Sequence, residues 1–435
     1  MRVLLVRPKA PNVFRFSRLV ENEPIELEYL LTTLLALGNE AQIYDGIFDS
    51  RPLKNVLKKI KPDLVAITGY ITQENAMKAV ATLVKKVDAN ILTVAGGVHV
   101  QLNPDSFKTP VIDFIFRSAS MQDFEAFIKF VGVASNPRDF STRDEPINGL
   151  MYRDSFGDWQ SNDLISVDIN TLPIPDRSHF YANRHLYRYL EFKEIATMKT
   201  AFSCPQSCAF CYCKQLNGGK YQTRDLDTVM EELMSLKADC VQIVDDDFLA
   251  DIKRAWSFTR MVKASGLKKS FICYARADEV AGNPDLIIAL KEIGFRYFIV
   301  GLEAVNDAEL LAYDKRTTAS INRACIQTIQ DAGAQCIALM TVPHTAEKSD
   351  FDAIYTWAVD NNLVYTTVSI FTPIPGTPLY ELHKTSITSK KIEHWDFLHL
   401  VLKPTRLSKI MFYFNFIRLT VRLYLLGKKR GGFSW

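Results

Sequence analysis

Ser203-Cys204-Pro205-Gln206-Ser207-Cys208-Ala209-Phe210-Cys211 places three cysteines in a C-x-x-x-C-x-x-C spacing just after a β-like run. Thiolates gathered on one tight loop can each take a different iron, which is how cysteines carry iron–sulfur clusters. Three ligands for four irons leave one iron open. A zinc ion would want a fourth protein ligand, which Cys213 or a distant histidine could supply, so spacing alone leaves zinc open.

Outward from this loop, the chain repeats a strand-then-helix order. The apolar runs Ile195 to Thr200, Cys240 to Val244, Phe271 to Ala275, Tyr297 to Gly301, Gln335 to Val342 and Thr366 to Phe371 predict six parallel strands with outer helices, enough for an open TIM-like (β/α)6 barrel. In such a barrel the chemistry sits at the C-terminal rim. Asp245-Asp246-Asp247-Phe248 follows the second strand, Arg276 and Asp278 the third, and Gly301-Leu302-Glu303 the fourth, so one shared pocket is expected.

The N-terminal part alternates in the same way. Val3 to Val6, Gln42 to Asp45, Leu64 to Thr68, Ile91 to Ala95 and Phe114 to Phe116 predict a doubly wound α/β sheet of the flavodoxin or Rossmann type. Ligands of such sheets lie beyond the strand C-termini, where Gly69-Tyr70 and Gly96-Gly97-Val98-His99 stand. Ordinary βα turns would account for the glycines equally well. The expected order is a doubly wound domain over residues 1–135, a Pro- and Gly-broken connector without helices over 136–190, the barrel over 191–400 and a tail over 401–435.

Composition narrows the class. The chain has 435 residues and a formal charge of +3, too small to call for a nucleic-acid partner. None of the eight cysteines lies in the first two hundred residues, unlike a secreted disulfide framework, and Met1 to Val6 read straight into a strand. A reducing cytoplasm is the expectation. Cys240, Cys273, Cys325 and Cys336 sit in apolar runs and read as buried small hydrophobes.

The cysteine spacing, with the aromatic Phe210 before the last thiol, resembles the signature of the radical S-adenosylmethionine (SAM) superfamily. Pro24-Ile25-Glu26-Leu27-Glu28-Tyr29-Leu30, Asp45, Gly96-Gly97-Val98-His99, Leu172-Pro173-Ile174-Pro175-Asp176-Arg177 and Thr372-Pro373-Ile374-Pro375-Gly376-Thr377-Pro378-Leu379-Tyr380 resemble its cobalamin-binding subfamily. The resemblance implies a [4Fe–4S] cluster on Cys204, Cys208 and Cys211. It also implies SAM contacts at Phe210, Asp246, Asp247, Arg276 and Glu303, and cobalamin contacts at Gly69, Tyr70, Gly96, Gly97 and His99. Tyr212 is a candidate hydrogen donor, or a loop residue packed beside the cluster. As an alternative role, each aspartate after the second strand could cap the next helix.

Two departures stand out. No D-x-H-x-x-G occurs, and Arg117-Ser118-Ala119-Ser120 replaces the acidic, glycine-containing turn usual after the fifth strand. The reaction implied is cleavage of SAM to a 5′-deoxyadenosyl radical and methylation of an unactivated carbon through cobalamin. The partners implied are a small-molecule or lipid-like substrate and an electron donor such as flavodoxin, ferredoxin or a reductase. A cobalamin-independent dehydration, epimerisation or cyclisation is the alternative, and a non-enzymatic metal-binding or sensing protein a distant third. His344, alone in a loop, reads as solvated.

The tail changes character, with no acidic residue after Asp396 and eight Lys or Arg. Leu407, Met411, Phe414, Val421 and Leu425 form one helical stripe. Arg418 and Arg422 interrupt it, so a membrane span is not expected. Two fates remain open: a helix lying on an anionic membrane, or one packed against the barrel.

Overall fold

The computed structural model describes residues 1–9, 20–140 and 145–433, and divides into two units. One holds the N-terminal strand, residues 23–186 and residues 215–223; the other holds 187–214 and the chain from 224 onward.

In the first unit, β1 (Arg2–Arg7), β2 (Glu40–Asp45), β3 (Leu64–Thr68), β4 (Leu92–Gly96) and β5 (Phe114–Phe116) pair in parallel in the order β2-β1-β3-β4-β5. Val3 to Val6 and Leu64 to Thr68 are buried throughout, as continuous apolar runs must be when helices cover both sheet faces. Leu5 and Phe114 belong to one core with Leu34 and Phe127, and Leu4 and Val65 to the opposite core with Met77 and Phe107.

The stretch expected as a connector differs from that expectation. β6 (Leu150–Arg153) and β7 (Trp159–Ser161) join the sheet edge antiparallel, a helix spans Ser178–Asn183, and residues up to 186 group with the first unit. The two prolines of Leu172-Pro173-Ile174-Pro175 still give extended backbone, and the strap is anchored by charge. Arg177 Nη1 donates to Glu23 Oε1 at 2.7 Å and Glu28 Oε2 at 3.3 Å, all three side chains being almost fully buried. Breaking such a buried group by removing one partner costs about 3–5 kcal/mol.

In the second unit, β8 (Ala196–Met198), β9 (Cys240–Ile243), β10 (Ser270–Ala275), β11 (Phe295–Glu303), β12 (Gln335–Val342) and β13 (Tyr365–Ile370) form a six-stranded, wholly parallel sheet in chain order. Ile272, Tyr297, Ile299, Ile337 and Tyr365 fill one core.

Of the two fates left open, the structure shows the packed one. The helix Lys409–Lys429 buries Phe412, Phe416, Leu419 and Leu423 against the helix Lys348–Asp360 and β13, while Met411, Phe414, Val421 and Leu425 face outward. By length and composition alone the helix could cross a membrane, so the arginines do not by themselves forbid it. The packing argues against it, because one face is committed to the barrel and Arg418 and Arg422 both reach Asp352.

Candidate active site

The cysteine loop leaves the strand that follows β8 through Ser203, whose φ of +65° turns the chain sharply. Ser203 Oγ then donates to the carbonyls of Cys213 (3.0 Å) and Lys214 (3.3 Å), closing the loop's two ends. Its middle is clamped from both sides: Ala209 N–H donates to the Tyr313 carbonyl at 3.0 Å, and the Ala209 carbonyl accepts from Leu379 N–H at 3.0 Å. The Pro373–Tyr380 segment therefore holds the loop through Leu379, while the prolines stiffen it.

All three thiols are free and half-buried. Cys211 N–H closes a turn on the Cys208 carbonyl at 3.1 Å. Burial pushes the Cys204 thiol up to about 12, whereas the Cys213 thiol donates to Cys211 and holds it below its ordinary value. Cys213 is thus a neighbour that stabilises the Cys211 thiolate. Among the described residues no three His, Cys, Asp or Glu side chains gather closely enough to share one metal ion.

A cationic wall faces the loop. Arg276, at the end of β10, donates through Nη1 to Cys208 Sγ at 3.6 Å and is oriented by Asp278 (3.0 and 3.1 Å) and the Lys315 carbonyl (3.0 Å). Lys315 Nζ pairs with Glu303 Oε1 at 3.1 Å and lies 5.7 Å from the centre of the Phe210 ring. Burial alone would lower the Lys315 ammonium, but Glu303 and Cys208 hold it above its ordinary value. Sequence reasoning missed Lys315, because one lysine in a loop carries no local signature. Phe210 also packs edge-on to Tyr313, ring centres 5.6 Å apart.

Glu303 ends β11 with φ +62°, a strained conformation for a residue with a side chain. Its other oxygen accepts from Thr341 Oγ1 at 3.1 Å. The carboxylate folds back toward Gly301, so a Cβ there would require the Glu303 side chain to shift.

The three aspartates have separate fates, and none caps the next helix; Asp251 does that by accepting from Arg254 N–H. Asp245 is buried and accepts from Thr200 N–H (2.6 Å), Thr200 Oγ1 (2.5 Å) and Ala201 N–H (2.9 Å), tying β9 to the base of the cysteine loop. Asp247 is buried beside Glu279; burial and that neighbour raise its carboxyl well above the ordinary range. Asp246 is half-buried, 3.8 Å from Lys199 Nζ, with its buried Oδ2 lacking a hydrogen-bond partner. Tyr212 is half-buried beside Cys211. His344 is not simply solvated: it stacks on Phe371 and meets His383 edge-on.

In the first unit, Gly69, Tyr70, Gly96 and Gly97 stand at the C-terminal ends of β3 and β4, the edge where such sheets bind ligands. Gly97 has φ +98°, and a Cβ there would collide with Thr68 Oγ1, so packing alone requires this glycine. Tyr70 is exposed, with its N–H held by Gln73 Oε1 at 3.0 Å. His99 is buried, its Nε2 2.7 Å from Glu74 Oε2, so it acts as a strut beneath the edge. The Arg117-Ser118-Ala119-Ser120 turn is occupied by its own contacts. Arg117 donates to Gly149 and Asn162 carbonyls, Ser118 Oγ donates to Asp123, and Ser120 caps the helix Met121–Val133.

Comparison with known proteins agrees with this geometry. Residues 198–358 match the radical SAM superfamily and residues 12–127 the B12 binding domain. A Pyrococcus horikoshii protein described as the uncharacterized methyltransferase PH0819 is 24% identical over 88% of this chain and 83% of its own. The hopanoid C-3 methylase of Methylococcus capsulatus is 24% identical over 55% of this chain and 45% of its own, and the anaerobic magnesium-protoporphyrin IX monomethyl ester cyclase of Cereibacter sphaeroides 23% over 89% and 64%. The solved structure of the cobalamin-dependent S-adenosylmethionine radical enzyme OxsB, with aqua-cobalamin and S-adenosylmethionine bound, superposes with a TM-score of 0.72 at 13% identity, over 93% of this chain and 64% of that one. The chain therefore spans about half to two thirds of the length of several of these proteins. These families bring a [4Fe–4S] cluster, SAM and cobalamin as cofactors. With both signatures in one chain, on the two folds that carry them, the protein belongs to the B12-binding-domain-containing radical SAM superfamily.

Proposed function

We propose that the protein methylates an unactivated carbon of a small-molecule substrate by cobalamin-dependent radical SAM chemistry. The observation that carries this is the triple-thiol loop facing Arg276, Lys315 and Glu303 at the rim of a barrel, in a chain that also has a B12-binding domain. When bound, the cluster and SAM supply the 5′-deoxyadenosyl radical and cobalamin supplies the methyl group.

The chain's own residues hold and orient. Cys204, Cys208 and Cys211 would hold the cluster, with Arg276, Lys315 and Glu303 facing the loop where SAM would bind. Glu303 and Asp246 offer carboxylates to the ammonium, and Arg276 offers donors to the carboxylate. Asp245 and the Ala209 clamp fix the base and the middle of the loop. Tyr70 and the glycine edge of the first sheet are the cobalamin-facing elements.

A second reading keeps the radical and omits the methyl: a cyclisation or dehydration, favoured by the self-saturated Arg117–Ser120 turn. One substrate-free experiment separates them. Anaerobic protein is incubated with SAM and a reductant, with and without hydroxocobalamin. Methyl transfer predicts S-adenosylhomocysteine that depends on cobalamin, alongside 5′-deoxyadenosine; 5′-deoxyadenosine alone supports the second reading.

A further inference from the structure

The helix Lys409–Lys429 has two apolar faces, and only one is used by the fold. Phe412, Phe416, Leu419 and Leu423 are buried, while Ile410 (82% exposed), Phe414 (59%), Ile417 (57%), Val421 (50%) and Leu425 (57%) form a second stripe at helical spacing, pointing away from the barrel. At 1.5 Å per residue the helix is about 30 Å long. An apolar strip of that length is larger than isolated surface hydrophobes explain.

The charges carried by the helix and the chain flanking it are of one sign. Lys403, Arg406 and Lys409 are exposed at its start, and Lys428 and Lys429 at its end, with Lys428 continuing the stripe from Val421 and Leu425. No acidic residue follows Asp396. The flanking arginines are already placed: Arg418 and Arg422 pair with Asp352, and Arg422 also covers the Tyr355 ring, its guanidinium carbon 3.6 Å from the ring centre. Arg406 reaches Glu347 only at 3.7 Å, with both side chains exposed. A second copy of this helix would bring Lys409 of one chain against Lys428 or Lys409 of the other, a like-charge contact. A surface of anionic headgroups over acyl chains matches both the apolar stripe and its cationic ends.

We propose that the outer face of this helix lies in the interface of anionic lipid membranes, with Ile410, Phe414, Ile417, Val421 and Leu425 entering the acyl boundary and Lys409, Lys428 and Lys429 at the headgroups. The helix lies flat and does not cross, because its inner face stays on β13 and the helix Lys348–Asp360. The inference is independent of the reaction the barrel performs.

The test is cosedimentation of the full chain with vesicles of phosphatidylcholine alone and of phosphatidylcholine mixed with phosphatidylglycerol. Binding to the mixed vesicles only, weakened by raised salt, is expected. F414E/I417E and, separately, K428E/K429E should each weaken it at least tenfold with unchanged circular dichroism melting. Three results overturn the proposal: no binding to the mixed vesicles, equal binding to both kinds, or a dimer in solution that F414E/I417E converts to monomer.

Discussion

Arg276 donates through Nη1 to the Sγ of Cys208 at 3.6 Å, so a guanidinium fixed by Asp278 and the Lys315 carbonyl touches one of the three loop thiols directly. Positive charge and hydrogen bonds to cluster sulfur raise a cluster's reduction potential. Arg276→Gln is expected to make the potential more negative by roughly 40 mV, the equivalent of about 1 kcal/mol for one electron. Redox titration followed by electron paramagnetic resonance measures this, and an unchanged potential would show that the contact is not made in the loaded protein.

Lys315 and Glu303 form a nearly buried pair at the rim, with side chains 9% and 13% exposed. Lys315→Met leaves the partly buried Glu303 carboxylate without its cation, keeping only the Thr341 hydrogen bond. A loss of about 3–5 kcal/mol is expected in urea unfolding. The double variant Lys315→Met with Glu303→Gln should recover part of that loss, because the stranded charge is gone. Additive effects would contradict the pairing.

The first unit has an acid-sensitive strut. Burial alone would raise Glu74, but hydrogen bonds from His99 and Lys78 bring it down to about 2. A carboxyl lowered by folding contributes stability that is complete above its unfolded value of about 4.5 and is lost as pH falls toward 2. Glu74→Gln should therefore cost about 1–3 kcal/mol at pH 7 and little near pH 2. Thermal unfolding of both forms across that range is the measurement.

Most of the fold was legible in the sequence, since strands such as Leu64–Thr68, Phe114–Phe116 and Gln335–Val342 are apolar runs bounded by turn residues. β6 and β7 were not, because they are short, lie at a sheet edge and sit among Pro, Gly and Asp that read as a linker. Within the site, spacing located the thiols and the rim position of Glu303. It could not sort Asp245, Asp246 and Asp247, whose roles depend on Thr200, Lys199 and Glu279, residues up to 47 positions away. Lys315 reaches Glu303 only because the loop after β11 folds back, which no local pattern encodes. The tail's stripe was visible, yet a helix apolar on two faces gives the same letters whether one face or the other is covered.

The central claim is that Cys204, Cys208 and Cys211 carry an iron–sulfur cluster with one iron open to SAM. Iron and sulfide analysis of anaerobically purified protein, with electron paramagnetic resonance of the reduced form before and after adding SAM, tests it most directly. The account predicts about four irons and four sulfides per chain, a signal that changes when SAM is added, and loss of both with Cys208→Ala. Zinc in place of iron, or a signal indifferent to SAM, would contradict it.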